Sequence, residues 1–324
     1  MTKPMKVVVT RKIPGNGVKM LQDAGFEVSV SPNDRPLERA ELLNFIQGAD
    51  GVLGQLQDKV DEEYLNSAGS QLKIVANYAV GFDNFNLPAL TSHNVIGTNT
   101  PEVLTEAVAE QAFALIMSIT RRIVEAHKLA QTESSGFGPE VMLGTELKGK
   151  VLGVLGLGRI GSRVAEIGKA FGMSVIYYDI KQNGEFEAKV GAAFKATPEE
   201  LLKEADIISV HVPLMDSTKH LINAEKLKMM KPTAYLVNTS RGPVVDEVAL
   251  VEALKNRTIK GAALDVGETE PKWAEGLKDL PNVVLTPHIA SATIEARSAM
   301  GVLAAENIIE VLNGRPPKTQ VKPH

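Results

Sequence analysis

Val151-Leu152-Gly153-Val154-Leu155-Gly156-Leu157-Gly158-Arg159-Ile160-Gly161 is the stretch on which the reading of this chain turns. Its first five residues are apolar and β-branched at two positions, which predicts a buried strand. Arg163 to Phe171 carries apolar residues at helical spacing, and Ser174-Val175-Ile176-Tyr177-Tyr178 reads as a second strand ending in Asp179. The order is strand, glycine turn, helix, strand, acid. Gly156 allows a tight turn, Gly158 lets backbone approach a pyrophosphate, and Gly161 lets helix and strand pack closely. The helix N-terminus offers unpaired N–H groups and a positive dipole end to the phosphates. Asp179 stands where a carboxylate accepts hydrogen bonds from the adenosine ribose hydroxyls. A glycine pattern alone describes any tight loop. In this setting it predicts a dinucleotide-binding unit.

The rest of the composition predicts a soluble intracellular protein. The chain has 324 residues, 44% of them hydrophobic, enough for one large or two medium domains. A net charge of −4 and a pI near 5.9 give no electrostatic footprint for nucleic acid or an anionic membrane. The absence of cysteine removes disulfides, zinc–thiolate sites and thiol nucleophiles together. Met1 to Lys6 has charge but no apolar core of signal-peptide length, and the apolar run Ala112 to Ile119 is too short to span a bilayer. A cytoplasmic location is the expectation.

On either side of the fingerprint the pattern alternates. Lys6 to Thr10, Glu27 to Val30, Gly51 to Leu53 and Lys73 to Ala76 read as short buried strands, with helical spacing at Gly17 to Asp23 and Leu37 to Ile46. Glu102 to Leu129 reads as one long helix with an apolar middle, Ala107 to Ile119, expected to be buried between domains or against a second subunit. Beyond the fingerprint, Thr197-Pro198-Glu199-Glu200 is a capping box. Strands are expected at Ile207 to Val212, Ala234 to Asn238, Gly261 to Leu264 and Val283 to Leu285, then a final helix from Thr293 to Leu312. The fold class expected is α/β, with two doubly wound parallel-sheet domains and a cleft between them. A Rossmann cofactor domain, residues 101–292, would be inserted into a flavodoxin-like substrate domain, residues 1–100 and 293–324.

Three places following strands of the cofactor domain can carry chemistry, since ligands of open α/β sheets sit beyond the carboxyl ends of strands. Asn238-Thr239-Ser240-Arg241-Gly242 offers an arginine whose fork can hold a carboxylate, although a surface arginine in a turn would look the same. Asp265, Glu268 and Glu270-Pro271 offer acids that a solvated loop would also have. Thr286-Pro287-His288 offers a histidine able to give and take a proton, presented by a proline-stiffened turn. A single histidine more often serves structure. His211 falls in an apparent core strand, His220 in a loop, and His93, His127 and His324 have no constellation around them. No metal site is expected.

Taken in order, these motifs resemble the D-isomer-specific 2-hydroxyacid dehydrogenase family over the whole chain. The likeness rests on Gly156 to Gly161 with Asp179, Asn238 to Gly242, Asp265-Val266 with Glu270-Pro271, and Thr286 to Ile289. Val80-Gly81-Phe82-Asp83-Asn84 and Val103-Leu104-Thr105-Glu106 add to it. Gly138-Pro139 and Met142-Leu143-Gly144 resemble a loop of the family's glyoxylate and hydroxypyruvate reductases. The resemblance implies NAD(P)H-dependent reduction of a small 2-oxoacid such as glyoxylate or hydroxypyruvate to the D-2-hydroxyacid. Arg241 would bind the substrate carboxylate and carbonyl, His288 would be the general acid, and Glu270 would hydrogen-bond His288. Leu53 and the N–H groups of Val80 and Gly81 would also contact substrate. The cofactor would touch Thr105, Gly156, Gly158, Arg159, Ile160, Gly161, Asp179, Val212, Pro213, Thr218, Thr239, Asp265 and His288, with Asp265 orienting the nicotinamide carboxamide.

The chain departs from the family in places. Gly267 stands where relatives often have a bulky aromatic, which would enlarge or loosen the site beside Glu270. Phe82 replaces a common tyrosine and Phe137 a common tryptophan. Asp179 would repel a 2′-phosphate, so NAD(H) is expected to be preferred, with Lys181 leaving room for some NADP(H) use. The alternatives are a D-lactate or D-3-phosphoglycerate dehydrogenase, or an NAD-sensing, co-repressor-like binding protein. A homodimer is expected.

Overall fold

The computed structural model describes residues 4–132 and 138–322, which fall into two compact units. Residues Met1–Leu104 and Ser291–His324 form the first, and Thr105–Ala290 the second.

The first unit begins with β1 (Lys6–Val9), α1 (Gly17–Asp23), β2 (Glu27–Val30), α2 (Arg39–Phe45) and β3 (Gly51–Gly54). It continues through α3 (Glu62–Ala68), β4 (Ile74–Asn77), α4 (Leu87–Ser92) and β5 (Ile96–Thr98). The five strands are parallel in the order β2-β1-β3-β4-β5, the flavodoxin-like order. Every residue of β3 and β4 is buried, as expected of strands covered on both faces.

The second unit opens with α5 (Thr105–Thr120) and α6 (Ile123–Ala130). The fingerprint follows as β6 (Val151–Leu155), α7 (Arg159–Ala170) and β7 (Ser174–Tyr178). Then come α8 (Gly184–Val190), β8 (Ala192–Phe194), α9 (Pro198–Glu204), β9 (Ile207–Val210) and α10 (Ala224–Met229). β10 (Tyr235–Asn238), α11 (Glu247–Lys255), β11 (Gly261–Leu264) and β12 (Val283–Leu285) complete it. The sheet is parallel throughout, ordered β12-β11-β10-β9-β6-β7-β8. The strand order reverses between β6 and β9, the crevice where such sheets bind ligands. The chain then returns to the first unit with α12 (Ile294–Leu312), which packs on α1, β3 and β4.

The single long helix expected over Glu102 to Leu129 is two helices. Arg122 adopts a left-handed φ of +55° and interrupts it. The Thr120 carbonyl accepts the Thr145 N–H at 2.8 Å, and Gly144 packs so tightly there that a Cβ would lie 2.6 Å from that carbonyl. Neither glycine nor proline marks the break. The apolar run of α5 is also covered differently from expectation: Ala109, Ala112, Phe113, Leu115, Ile116 and Ile119 belong to the unit's own core, with α7, β10, β11 and β12. The fingerprint helix starts at Arg159, four residues ahead of its apolar spacing. β9 ends at Val210, so His211 lies just past the strand. Thr197 caps α9 as its sequence predicts, accepting the Glu200 N–H at 3.2 Å, while the Glu200 carboxylate reaches back to Ala196.

Candidate active site

The glycine turn has the close approaches that the fingerprint demands. Gly156 follows β6 at φ +95°, and a Cβ there would meet the His211 carbonyl carbon and the Val212 nitrogen at 2.8 Å. A Cβ at Gly161 would fall 1.9 Å from the Gly156 carbonyl oxygen, whereas one at Gly158 would meet open space. Gly158 is the N-cap of α7 and provides no side-chain acceptor to the first turn, formed by Arg159, Ile160 and Gly161, and a helix start of this kind suits an anion. Asp179 follows β7 and accepts the Leu157 N–H at 2.6 Å, fixing its carboxylate beside the turn. Ile180 next to it is 92% exposed. Beyond β9, Val212 is buried, and Thr218 closes the loop by donating to the Pro213 carbonyl at 2.6 Å. The buried Thr239 hydroxyl has no hydrogen-bond partner among the described residues. A turn that excludes side chains at Gly156 and Gly161 and is open at Gly158, a helix start without a side-chain cap and an orphaned hydroxyl all fit a dinucleotide.

His211 is no proton carrier. Burial pushes its pKa down to about 3, and its Nε2 sits 2.7 Å from the Ser209 hydroxyl, so the ring is neutral.

Arg241 is held by a buried asparagine. The Asn238 amide donates to the Arg241 carbonyl at 2.9 Å, while its oxygen accepts from the Ser240 N–H and hydroxyl. The guanidinium donates to the Ser240 carbonyl at 2.7 Å. The next residue meets the following loop, since a Cβ at Gly242 would lie 1.9 Å from the Gly267 carbonyl oxygen. The space beside Gly267 is itself filled. A Cβ there would stand 3.3 Å from both the Lys272 oxygen and Trp273 Cε3, so the enlargement expected from the missing aromatic is absent.

Asp265, fully buried after β11, organises the histidine turn. Its carboxylate accepts the Thr286 hydroxyl at 2.5 Å and the N–H groups of Ile289 and Ala290 at 2.9 and 2.8 Å. Its carbonyl accepts the His288 N–H at 2.8 Å. Thus anchored, His288 adopts φ +54°, a conformation a non-glycine residue keeps only when its surroundings impose it. His288 Nδ1 lies 2.8 Å from Glu270 Oε2, and Glu270 Oε1 accepts the Gly267 N–H at 3.1 Å. With Nδ1–H donated to Glu270, Nε2 is the nitrogen left to exchange a proton with a ligand.

Glu268, read as a loop acid, pairs with His220 Nε2 at 2.6 Å. Glu247, which sequence reasoning passed over, is buried and accepts the N–H groups of Glu268 and Ala274. An acid in a helix's first turn normally faces water, so nothing in the sequence marks it. His127 lies on the exposed α6, His93 bonds its own helix, and His324 and Phe137 lie outside the described residues. Among the described residues no group of acids and histidines could hold a metal, and no helix is long and apolar enough to cross a membrane.

In the first unit, Leu53 is buried in β3. The Val80 and Gly81 carbonyls accept the side-chain amides of Asn99 and Asn77, both at 2.7 Å. The N–H groups of Val80 and Gly81 have no acceptor among the described residues. Phe82 packs against the core of this unit, and Thr105 opens α5 in the second.

Residues 113–290 match the model of the D-isomer specific 2-hydroxyacid dehydrogenase NAD binding domain. A glyoxylate reductase of Thermofilum pendens is 47% identical over 99% of this chain and 95% of its own length. The crystal structure of a Thermus thermophilus protein superposes with a TM-score of 0.92 at 42% identity, covering 98% of this chain and all of that one. An NADPH-dependent glyoxylate/hydroxypyruvate reductase from Sinorhizobium meliloti, solved with NADP and malonate, gives 0.84 at 31% identity, over 98% of this chain and 97% of its own. The Arg241 turn, the Glu270–His288 pair and the fingerprint thus occur in a chain that belongs to the D-isomer specific 2-hydroxyacid dehydrogenase family.

Proposed function

We propose that this chain is an NAD(P)-dependent oxidoreductase that reduces a small 2-oxoacid, glyoxylate or hydroxypyruvate, to the D-2-hydroxyacid. The observation that carries the reading is the 2.8 Å contact between His288 Nδ1 and Glu270, made by a histidine held in a left-handed turn.

Bound NAD(P)H supplies the electrons of the reduction as hydride. The chain supplies orientation and a proton. Arg241 presents a planar fork suited to the substrate carboxylate and the carbonyl beside it. In the first unit, taken by itself, the N–H groups of Val80 and Gly81 are suited to bind a carboxylate, their own carbonyls already held by asparagines, while the fully buried Leu53 side chain offers no surface for it. His288 gives the Nε2 proton to the carbonyl oxygen as it becomes the hydroxyl, and takes it back in the reverse reaction. Glu270 holds Nδ1–H in both directions, fixing the ring and balancing the imidazolium. Asp265, its oxygens engaged by the His288 turn, serves as the anchor of that turn.

Asp179 supports NAD(H) as the preferred cofactor, because a carboxylate pairs with a ribose diol and repels a 2′-phosphate. A homodimer is supported by the apolar surface left on the second unit: Ile123 is 53% exposed and Leu143 64%, and α6 buries none of its residues. The test of the function is a steady-state assay with NADH and a panel of 2-oxoacids. Glyoxylate and hydroxypyruvate are expected to turn over best, with D-glycerate as the product of the second. No turnover of any 2-oxoacid would contradict the reading.

A further inference from the structure

We propose that Glu247 is a positioning residue for the acid–base pair: its buried carboxylate fixes the loop carrying Glu270 and, through Glu270, the ring of His288. The inference rests on the function proposed above.

Glu247 is the first residue of α11, capped by Asp246, whose side chain accepts the Ala249 N–H at 2.9 Å. An acid at this point of a helix gains from the dipole while remaining in water. Glu247 is instead only 2% exposed. Its Oε1 accepts the Glu268 N–H at 2.7 Å and its Oε2 the Ala274 N–H at 2.8 Å. Those two N–H groups bracket the segment that contains Glu270. One carboxylate therefore clamps both ends of the loop, a task that needs two acceptor oxygens on one rigid group.

The clamp is reciprocal. The Glu268 carboxylate takes the Glu247 N–H at 3.3 Å and pairs with His220 Nε2 at 2.6 Å. The His220 N–H in turn donates to the Pro243 carbonyl at 2.8 Å, beside the Arg241 turn. From the clamped end the contacts run without a gap to the chemistry. Gly267, next to Glu268, gives its N–H to Glu270 Oε1, and Glu270 Oε2 holds His288 Nδ1. The carboxylate of Glu247 is buried, and its two oxygens are engaged by the Glu268 and Ala274 N–H groups. It acts through backbone geometry alone. Burying an acid generally costs stability relative to an apolar side chain, and satisfying two loop ends at once offsets that cost.

The test is a double-mutant cycle on kcat for reduction of glyoxylate and hydroxypyruvate by NADH. Glu247→Gln keeps size and burial but leaves one N–H facing a donor. Glu270→Gln removes the direct partner of His288. Loss of the clamp is expected to lower kcat about tenfold with KM and NADH affinity within about threefold, and Glu270→Gln to lower kcat about 10²-fold. If Glu247 acts through Glu270, the double variant stays within about threefold of Glu270→Gln alone. Glu247→Asp, which retains two acceptors on a shorter arm, should recover part of the loss and provides the cycle if the glutamine variant does not fold. Multiplying effects, or parallel losses of NADH affinity and kcat, would overturn the inference, as would failure of both variants to fold. An undiminished Glu270→Gln enzyme would instead overturn the proposed acid–base pair itself.

Discussion

Gly242→Ala tests the contact between the Arg241 turn and the Glu270 loop. Gly242 does not adopt a left-handed φ, so alanine suffers no backbone penalty and only space decides the outcome. The new Cβ would begin 1.9 Å from the Gly267 carbonyl oxygen, 2.0 Å from its carbon and 2.4 Å from the Glu268 nitrogen. All three are backbone atoms, so no side chain can swing away. Ordinary contact begins near 3.4 Å, so turn and loop must part by about 1.5 Å (3.4 minus 1.9). That parting displaces Arg241 from Glu270, the groups proposed to hold the substrate carboxylate and the histidine. Misplacement of about 1 Å costs on the order of 10²-fold in rate, and overpacking costs roughly 1–3 kcal/mol of stability. We expect kcat/KM for 2-oxoacid reduction to fall about 10²-fold, with a smaller loss of NADH affinity because the fingerprint turn is untouched and only Thr239 of the proposed cofactor contacts lies on the displaced turn. Stopped-flow reduction and fluorescence titration of NADH measure the two separately. Wild-type kcat/KM in a folded Gly242→Ala protein would refute the reasoning.

Replacing Asp179 with Ser and Ile180 with Arg removes the repelling carboxylate and adds a fork, so the ratio of NADH to NADPH efficiency should move toward NADPH; an unchanged ratio would take Asp179 out of the ribose site. Light scattering at micromolar concentration should give twice the 34.8 kDa chain mass, and a monomer mass would exclude the dimer. His211 sets an acid limit on stability. Its folded pKa is about 3 against an ordinary 6.5, so between those values the unfolded chain binds a proton that the folded chain does not, and stability falls as pH falls. His211→Gln should flatten the pH dependence of urea unfolding between about pH 6 and 4 by up to about 1.4 kcal/mol per pH unit; identical slopes in both proteins would contradict this.

The parts of the fold that repeat short-range patterns were legible in advance. β6, β7, β11 and β12 fall where their apolar runs lie, because a strand covered on both faces needs an unbroken apolar segment. The position of Asp179 beside the glycine turn could be read because it follows from spacing along the chain. The break at Arg122 could not, since it is imposed by Gly144 and Thr145 pressing on the Thr120 carbonyl. Gly267 misled for a related reason: the space its missing side chain leaves is taken by Trp273, six residues on. Arg241, Glu270 and His288 were visible as residue types after strands, and the family resemblance paired Glu270 with His288, but the groups that hold their turns in place were not visible. That Asn238 grips the Arg241 turn, that Asp265 gives its oxygens to the His288 turn, and that Glu247 is buried all depend on loops meeting in space.

The most direct test of the account is His288→Gln, assayed in both directions where hydride transfer limits the rate. The glutamine has no ionisable nitrogen to carry a proton. Reduction of the 2-oxoacid and oxidation of the D-2-hydroxyacid are predicted to fall together by at least about 10²-fold across the pH range, with NADH affinity retained. A His288→Gln enzyme that keeps wild-type rates in either direction would contradict the assignment of His288 as the proton carrier.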